Sequence, residues 1–464
     1  MTRLSAITLL LLCALTPPAA TTAVAAGHWQ AHRDSVVARI TGAATPSHQV
    51  LITDFGARGD SLTDCLPAFR KAMDYAREKG GAHIKVPEGT WIVRGPIHFV
   101  SNVTLEIAPG ATLKFVARPE YYLPMVPTSW EGTWLWNYSP FIYGYGLHDV
   151  TICGGGTIDS DSDNTFATWR KKQSRGQELS RQYNHEGRPV AERRFGEGFY
   201  LRPHMIQFYD CKGVTLTGVF LRRSPFWCVH LLQCENVVFS GLRYDAKLVN
   251  NDGIDIESSR DVLIDNVYFN NGDDNIAIKS GRDNDGWTTC RPSENIVIRR
   301  CHFKGLHAVV IGSEMSGGVE NVFVENCDYA GYCKRGIFVK TNPDRGGYVK
   351  GLYVDNVAFG EVADLFYVTS MYAGQGLDNC HFSTIEQIHV SRLSAEKVTG
   401  TALVLQGTEE KPIRQVSFSG ITVGEARNGV SFENTEPVQM SNCFIGLKVG
   451  VPSQISAKDN IFKR

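Results

Sequence analysis

One short pattern recurs along most of this 464-residue chain, and it limits the fold more than any other feature. Each copy has a polar residue, then Asn, Gly, Asp or Gln, and then apolar residues at alternate positions. From Val214 onward, successive copies lie 23, 25, 34, 26, 30, 36 and 28 residues apart. A repeat of roughly 20 to 50 residues predicts a solenoid or a propeller. The copies begin at Ser101, His148, Lys212, Glu235, Arg260, Glu294, Glu320, Lys350, Glu386 and Arg414.

The content of each repeat separates these two architectures. Every unit holds two or three segments in which apolar and polar residues alternate, and alternation of this kind predicts β-strands with one buried face. A propeller blade needs four strands and roughly 40 to 50 residues, and most of the spacings are shorter. We therefore predict an all-β fold, a single parallel β-helix, with Asn and Gly at corners that need positive φ.

One amphipathic helix is predicted before the repeats begin. Thr63 or Asp64 can cap it, Pro67 suits its first turn, and Gly80 follows its end. Apolar residues recur at helical spacing between these limits, at Leu66, Phe69, Met73 and Ala76. Because the end coil of a β solenoid is exposed unless something covers it, we expect this short N-terminal helix to be a cap.

The first 25 residues have the pattern of a secretory signal peptide. Arg3 precedes an apolar run over 7–15, and Ala23-Val24-Ala25 fits the cleavage site. A membrane anchor is the weaker alternative, because the run is too short to span a bilayer. We therefore expect a signal peptide over 1–25, a β-helix domain over 26–464, a secreted or periplasmic product, and no membrane span in the mature chain.

Charge and cysteine content narrow the function classes. The formal net charge of −1 lacks the basic excess typical of nucleic-acid-binding proteins. Eleven of the twelve cysteines follow the leader, and most fit buried small apolar positions. Cys327 with Cys333, or Cys228 with Cys234, could form a disulfide. No His or Cys spacing indicates zinc, so we expect neither metal nor cofactor, and a monomer.

Titratable residues recur at one register in successive strands. Four strands align by their apolar pairs at 254/256, 276/278, 309/311 and 337/339, and the preceding coil aligns through Trp227/Val229. Two residues before the four pairs stand Asp252, Asp274, His307 and Arg335, with Asp273 beside Asp274. The position just after a pair holds Lys279, Lys340 and His230. We predict that these groups form an active site on one outer face.

These residue types suit glycosidic-bond cleavage. One protonated carboxyl group donates to the leaving oxygen and a second carboxylate acts on water or on the sugar, and neighbouring acids raise one another's pKa. Lysine and arginine nearby favour an acidic sugar. The simpler interpretations are solvated lysines and an Arg335 that pairs with a structural acid.

Two insertions interrupt the repeat. The basic segment 160–200 is either a solvated loop or a wall of the cleft. The aromatic segment 128–140, with Trp130, Trp134, Trp136 and Tyr138, either packs in a core or stacks on sugars.

At these motifs the chain resembles the polygalacturonase family of glycoside hydrolases, family 28. The four motifs that show the resemblance are Asn250-Asn251-Asp252, Gly272-Asp273-Asp274, Leu306-His307-Ala308 and Phe338-Val339-Lys340. The first departs from the family Asn-Thr-Asp, the third lacks both family glycines, and Phe338 replaces the family arginine. The resemblance implies a right-handed parallel β-helix and inverting hydrolysis of pectic polysaccharide.

The resemblance also implies roles. Asp273 is the general acid, Asp252 and Asp274 activate water, and His307 tunes the acid or positions substrate. Lys340 binds a sugar carboxylate, and Arg335 or Arg345 replaces the missing arginine. Similarity to bacterial and plant-type members around Trp130–Thr133 and Ser280–Asp283, which includes Arg282, favours exo action on galacturonate chains. The alternatives are a hydrolase of rhamnogalacturonan or another decorated pectin, a non-catalytic carbohydrate-binding β-helix, and a calcium-dependent pectate lyase.

Overall fold

A computed structural model of the chain describes residues 19–374, 377, 378 and 380–448. Residues 1–18 of the expected signal peptide lie outside the described residues, and residues 19–25 open the first helix. No helix in the described part has both the length and the apolar character needed to cross a membrane.

The chain folds as a single right-handed parallel β-helix: the repeats predicted the parallel β-helix, and the family resemblance implied its handedness. Strands of successive coils pair in parallel, and their pairings line three faces of one solenoid, called here sheets A, B and C, which long strands join at the corners. Sheet A contains β1 (Gln49–Leu51), β3 (Ala82–Val86), β6 (Val103–Ile107), β11 (His148–Gly154), β14 (Lys212–Thr217), β17 (Glu235–Ser240), β20 (Arg260–Asp265), β22 (Ser293–Arg299), β28 (Arg414–Ser419) and β30 (Gln439–Ser441). Sheet B contains β5 (Ile97–His98), β10 (Ile142–Tyr145), β13 (Ile206–Tyr209), β16 (Val229–Leu232), β19 (Ile254–Glu257), β21 (Asn271–Lys279) and β24 (Gly305–Gly312).

The third sheet and the long strands complete the coils. Sheet C contains β2 (Asp60–Asp64), β4 (Gly89–Val93), β7 (Ala111–Phe115), β12 (Thr157–Asp159), β15 (Phe220–Arg222), β18 (Arg243–Asp245), β23 (His302–Phe303) and β31 (Phe444–Leu447). The strands that bend through more than one sheet are β25 (Val319–Lys340), β26 (Tyr348–Thr369), β27 (Thr384–Gln406) and β29 (Thr422–Glu433). An antiparallel hairpin outside the coils pairs β8 (Val126–Trp130) with β9 (Thr133–Asn137).

The repeat in the sequence marks one corner of the coil. All ten of its second positions have φ between 54° and 76°. Asn, Asp, Gly and Gln stand there, and the first three tolerate this left-handed conformation best. The apolar residues that follow then point into one continuous core, which runs the length of the solenoid.

The predicted capping helix is confirmed as α2 (Leu66–Lys79). Its N-cap is Cys65 rather than Thr63 or Asp64, although an Asp64 carboxylate oxygen accepts the Leu66 N–H at 3.1 Å. Gly80, with φ of 74°, ends the helix. The apolar face of α2 joins the core at the first coil. The other helices are α1 (Ala19–Arg39), α3 (Ser174–His185) and α4 (Asp283–Thr289), and the 3-10 helices are Ile52–Phe55, Pro119–Tyr122, Phe166–Lys171 and Val190–Glu192.

Residues 29–48, here called the axial strap, cross the outer face of sheet A along the solenoid axis, an element absent from the sequence prediction. They include the end of α1 and the extended segment after it. The strap contacts widely separated coils, so its docking depends on much of the solenoid. Its contacts include Trp29 stacked on Phe323 and Tyr353, Arg39 on Asp261 at 2.7 Å, Gly42 on Asn236 at 3.0 Å and Ala44 on Asp149 at 2.9 Å.

Neither of the two possible disulfides forms, and the expectation that most cysteines are buried is confirmed. All eleven described cysteines are free, and most are buried. Cys228 and Cys234 lie on either side of β16, and Cys327 and Cys333 lie on β25. Six residues of largely extended chain span roughly 20 Å, whereas a disulfide needs Cα atoms within about 7 Å.

Candidate active site

The predicted register of sheet B is confirmed between β19 and β25. Asp274, His307 and Arg335 are Cα partners in neighbouring coils, and so are Ile276, Val309 and Ile337. The apolar residues of each strand enter the core, so the alternate positions project outward. Asp274, His307 and Arg335 stand two residues before these core positions, near the start of the strands, where a register shift separates Asn271 from Asp274. Alternation alone does not turn them outward, and the row of titratable groups follows the edge of sheet B at this irregularity.

The predicted position of His230 is wrong by two residues. Its Cα partner is Asp255, not Glu257, because the apolar pair of β16 is Val229/Leu231. Trp227 precedes the strand and packs with Trp130 in a separate aromatic cluster. His230 still projects outward, but one row away from Lys279 and Lys340.

Asp274 is the most strongly bonded of the three candidate acids. One of its carboxylate oxygens accepts a hydrogen bond from His307 Nδ1 at 2.7 Å, and the other accepts from Lys340 Nζ at 3.0 Å. Burial raises the pKa of Asp274, but the Lys340 charge and the His307 hydrogen bond outweigh it and hold the pKa well below its usual value. Asp274 is therefore an anion across the physiological range.

The pKa values of Asp273 and Asp252 are raised, in contrast to that of Asp274. Burial, with the negative charge of Asp274, raises the pKa of Asp273. Burial, with repulsion from Asp255, Asp273 and Asp274, raises the pKa of Asp252 well above its usual value. One carboxylate with a lowered pKa thus lies among carboxyl groups whose pKa values are raised, which is the division an acid–base pair requires.

His307 lies between the carboxylate of Asp274 and the aromatic ring of Phe338. Since Asp274 accepts the hydrogen bond, Nδ1 of His307 carries the proton. Its Nε2 is buried without a hydrogen-bond partner among the described residues. The imidazole ring lies 5.7 Å from the Phe338 ring, centroid to centroid.

Lys279 and Arg282 converge on Glu314, a residue that the sequence interpretation missed. Glu314 accepts from Lys279 Nζ at 3.1 Å and from Arg282 Nη2 at 2.7 Å. Lys279 also lies 4.7 Å from the Trp227 ring centroid. Both cations are buried, as is Lys340, so the interpretation of the lysines as solvated surface charges is wrong.

The remaining predicted cations differ in accessibility. Arg345 is fully buried and donates to Asp283 at 2.6 Å and to the Ser313 carbonyl at 3.0 Å. Arg335 is partly exposed, and its Nε lies 3.4 Å from an Asp364 carboxylate oxygen. The expected structural acid beside Arg335 is therefore present.

His230 belongs to a buried network below the hairpin. Its Nε2 lies 2.9 Å from Glu257, and Gln207 lies 2.8 Å from its Nδ1. Burial lowers the pKa of His230 to about 3 and raises that of Glu257 to about 7. The Ser129 hydroxyl of β8 donates to the same Glu257 oxygen at 2.9 Å. The network thus joins the hairpin to the floor of sheet B.

Both insertions pack over the same end of this face. Trp130 is buried in a cluster with Phe226, so its packing role is confirmed. The Glu131 carbonyl accepts from Arg282 at 2.9 Å, and Asn184 of α3 donates to the Arg282 carbonyl at 2.9 Å. Arg193 of the basic segment donates to Asp285 at 2.6 Å. The segment 160–200 is therefore partly a packed wall, not only a solvated loop.

The donor set beside the acids fits a cation poorly. Asp273, Asp274 and His307 offer ligand atoms within 4.8 Å of one another. Both oxygens of Asp274 are nevertheless engaged, one by the Lys340 ammonium. A fixed ammonium at that position supplies the positive charge that a metal would bring.

Comparison with known protein families agrees with the arrangement of these acids. The model of glycosyl hydrolases family 28 matches residues 127–443, which include every acid of the site. The chain belongs to glycosyl hydrolases family 28. The family resemblance stated from the four motifs is thus confirmed. A second model, described as rhamnogalacturonase A/epimerase, pectate lyase-like, matches residues 49–117, in coils that precede the acids.

Relatives of this family 28 chain come from plants and bacteria. A Vitis vinifera protein named "Probable polygalacturonase" is 30% identical over 395 residues, covering 81% of this chain and 74% of the relative. An exo-poly-alpha-D-galacturonosidase of Dickeya chrysanthemi is 25% identical, covering 73% of this chain and 60% of the relative. The crystal structure of a hyperthermoactive exopolygalacturonase from Thermotoga maritima superposes with a TM-score of 0.83 at 33% identity, covering 89% of this chain and 96% of that chain.

Proposed function

We propose that this protein hydrolyses the α-linkage of galacturonic acid residues in pectic polysaccharide, with inversion. The observation that carries the proposal is the split between Asp273, whose pKa is raised, and Asp274, whose pKa is lowered by Lys340 and His307 against its burial. Direct displacement by water uses one protonated carboxyl group as the acid and a second carboxylate that activates the water. The family match supports the same reaction class.

In the proposed reaction, Asp273 donates its proton to the glycosidic oxygen as the bond from that oxygen to the anomeric carbon breaks. A water molecule attacks the anomeric carbon from the opposite face, and Asp274, with Asp252, orients it and takes its proton. His307 holds Asp274 through the 2.7 Å hydrogen bond. Exchange with solvent then returns the proton to Asp273.

We propose exo action because the outer face is closed at one end. His230, Asp255 and Glu257 project from the outer face of sheet B but are fully buried. The hairpin covers them, and Ser129 bonds to Glu257. Toward the later coils, Met371 and Tyr372 are 56% and 38% exposed. A cleft closed on the early-coil side holds a chain end and admits the rest from the open side.

Positive charges around the acids support an acidic sugar. Lys340, Lys279 and Arg282 are proposed to attract substrate carboxylates, with Lys340 nearest the acids. Lys279 and Arg282 both pair with the single carboxylate of Glu314, which leaves one net positive charge. We propose that this charge attracts the substrate carboxylate without direct contact. His230 and Arg345 are buried with protein partners, and we propose a supporting role for them.

We also propose that the protein is secreted or periplasmic and loses residues 1–25, which the N-terminal pattern supports, and that the product is a monomer. N-terminal sequencing and light scattering of the exported protein test this. A product that starts before residue 20, or a stable dimer, contradicts it.

The test of function compares polygalacturonate with rhamnogalacturonan under the same conditions. We expect new reducing ends and monogalacturonate from polygalacturonate, with no ultraviolet-absorbing product and no loss in chelator. Unsaturated product would identify a lyase, and activity confined to rhamnogalacturonan would identify the alternative substrate. A ladder of oligomers at early times would overturn exo action.

A further inference from the structure

Arg202 is a buried arginine with no part in the proposed proton transfers. It lies between the insertion 160–200 and β13, and its side chain is almost fully buried. Within the described part of the chain its guanidinium bonds to carbonyl and amide oxygens rather than to a carboxylate. A buried charge without a paired counter-charge is unfavourable, and burial lowers the pKa of Arg202 to about 10. A cation kept in such a place is a candidate for a specific role.

The hydrogen bonds of Arg202 join the insertion to the turn that precedes β19. Its Nε donates to the side-chain oxygen of Gln173 at 2.9 Å. Its Nη1 donates to the Pro225 carbonyl at 3.2 Å and to the Val249 carbonyl at 3.1 Å. Its Nη2 donates to Asn250 Oδ1 at 2.7 Å. Two of the four bonds therefore hold adjacent residues of that turn.

The peptide group between Val249 and Asn250 connects Arg202 to the proposed general acid. Its carbonyl accepts the Arg202 bond, and its N–H donates to an Asp273 carboxylate oxygen at 3.3 Å. A trans peptide is planar, with its C=O and N–H on opposite sides, so fixing the carbonyl also fixes the N–H. The Arg202 charge polarises the same peptide and strengthens the N–H as a donor. The other Asp273 oxygen accepts the N–H of its neighbour Asp274 at 3.1 Å, so the Asn250 bond ties Asp273 to a different coil.

Two side chains hold this turn in place. Asn251 donates from its side chain to the Phe226 carbonyl at 3.1 Å. Arg202 holds the adjacent part, where Val249 is 57% exposed and Asn250 has φ of 61°. A left-handed φ is sparsely populated for a residue other than glycine, so this backbone conformation depends on such contacts. Arg202 therefore fixes the exposed half of the turn.

We propose that Arg202 is a positioning residue for hydrolysis: through the Val249–Asn250 peptide it holds the Asp273 carboxyl in the orientation from which its proton is donated. The inference rests on the proposed function, because it takes Asp273 as the proton donor. Arg202 is buried behind the turn and does not contact substrate. Its loss should therefore slow proton donation and leave substrate binding nearly unchanged.

Steady-state kinetics of the Arg202→Gln protein test this on polygalacturonate and on a nitrophenyl galacturonide, whose leaving group needs no proton. Glutamine is shorter and neutral, so the Val249 carbonyl loses its charged donor. We expect kcat on polygalacturonate to fall about 10- to 100-fold, with KM changed less than about threefold. On the aryl substrate kcat should fall less than about threefold. Arg202→Lys keeps the charge but not the planar fork, so it should restore part of the loss.

The pH profile gives a readout that general loosening of the fold would not move. The charged and titratable groups that act on Asp273 are Asp252, Asp274, His307, Lys340 and Arg202. The Asn250 N–H and the Arg202 charge both favour the carboxylate form and so lower the pKa of Asp273, against burial and Asp274. Without them this pKa rises. The alkaline limb of the kcat profile should therefore move to higher pH in Arg202→Gln, and move less in Arg202→Lys.

Gln173→Met is the matched control, because it removes the Nε acceptor on the insertion and leaves the bonds to the turn. It should leave kcat and the alkaline limb unchanged, even where it lowers the melting temperature. Asn250→Gly covers the case in which Arg202→Gln does not fold. Glycine accepts the φ of 61° and keeps the N–H, but it removes the Oδ1 acceptor. It should show a smaller loss that is again selective for polygalacturonate.

A double-mutant cycle separates failure of this inference from failure of the proposed function. Arg202→Gln should add little to the loss already caused by Asp273→Asn, because both act on one proton transfer. A full additional loss overturns the inference, and so do equal losses on the two substrates, an unmoved alkaline limb or unchanged kinetics. Near-normal turnover of the Asp273→Asn protein by itself overturns the proposed function.

Discussion

Asp273→Asn isolates the proton that the proposed mechanism donates. Asparagine keeps the shape of the side chain and can still accept the Asn250 N–H, which bonds to Asp273 at 3.3 Å. It cannot protonate the leaving oxygen. General acid catalysis contributes about 10²- to 10⁴-fold, so kcat on polygalacturonate should fall by that factor, or about 3–5 kcal/mol in the barrier.

The leaving group provides the decisive comparison. The nitrophenolate of an aryl galacturonide leaves without being protonated. The kcat of the Asp273→Asn protein on this substrate should therefore fall by less than about tenfold. The pH profile gives an independent readout. Burial and Asp274 raise the Asp273 pKa, so the wild-type rate falls as pH rises through that pKa, and this alkaline limb should vanish in the variant.

Asp328→Asn is the matched control, because Asp328 is exposed on sheet C and pairs with His302 at 2.7 Å. It should leave kcat on both substrates unchanged. Equal losses on polygalacturonate and on the aryl substrate in the Asp273→Asn protein would refute the acid assignment, as would a retained alkaline limb.

Three further perturbations address the charge, the buried network and the axial strap. Lys340→Met removes the ammonium that donates to Asp274, and a hydrogen bond to a charged group contributes about 1.5–3 kcal/mol. Steady-state kinetics should therefore show kcat/KM lowered about 10- to 100-fold. An unchanged kcat/KM would argue against the pairing of Lys340 with Asp274. Glu257→Gln removes a carboxyl whose pKa is raised from 4.5 to about 7. That group contributes roughly 3 kcal/mol of stability below pH 4.5, lost as pH rises through 7, so urea unfolding at pH 5 and pH 8 should differ less in the variant, and an equal difference would contradict this. Trp29→Ala should lower the free energy of unfolding by up to about 3 kcal/mol without changing KM, and an unchanged melting temperature would contradict strap docking.

The register of sheet B could be predicted because apolar residues must enter the core in every coil. That rule placed Asp274, His307 and Arg335 in one row without further information. It failed for His230, where Trp227 imitated a core position but packs outside the coil. An apolar pair therefore predicts the register of a strand only when both residues of the pair belong to that strand.

Other parts of the site depend on contacts between distant segments. Glu314 follows the end of β24, and no local pattern shows that Lys279 and Arg282 meet it. The burial of the two cations follows from the hairpin and α3, which fold over sheet B from insertions that lack the repeat.

The axial strap changes how the solenoid can come apart. In a stack whose layers touch only adjacent layers, fraying can start at either end and proceed one rung at a time. The strap ties the rung of Asp149 to that of Tyr353 by direct contact. Separation of any intervening rung must therefore also displace this longitudinal brace, so the region that carries the catalytic row unfolds as one cooperative block.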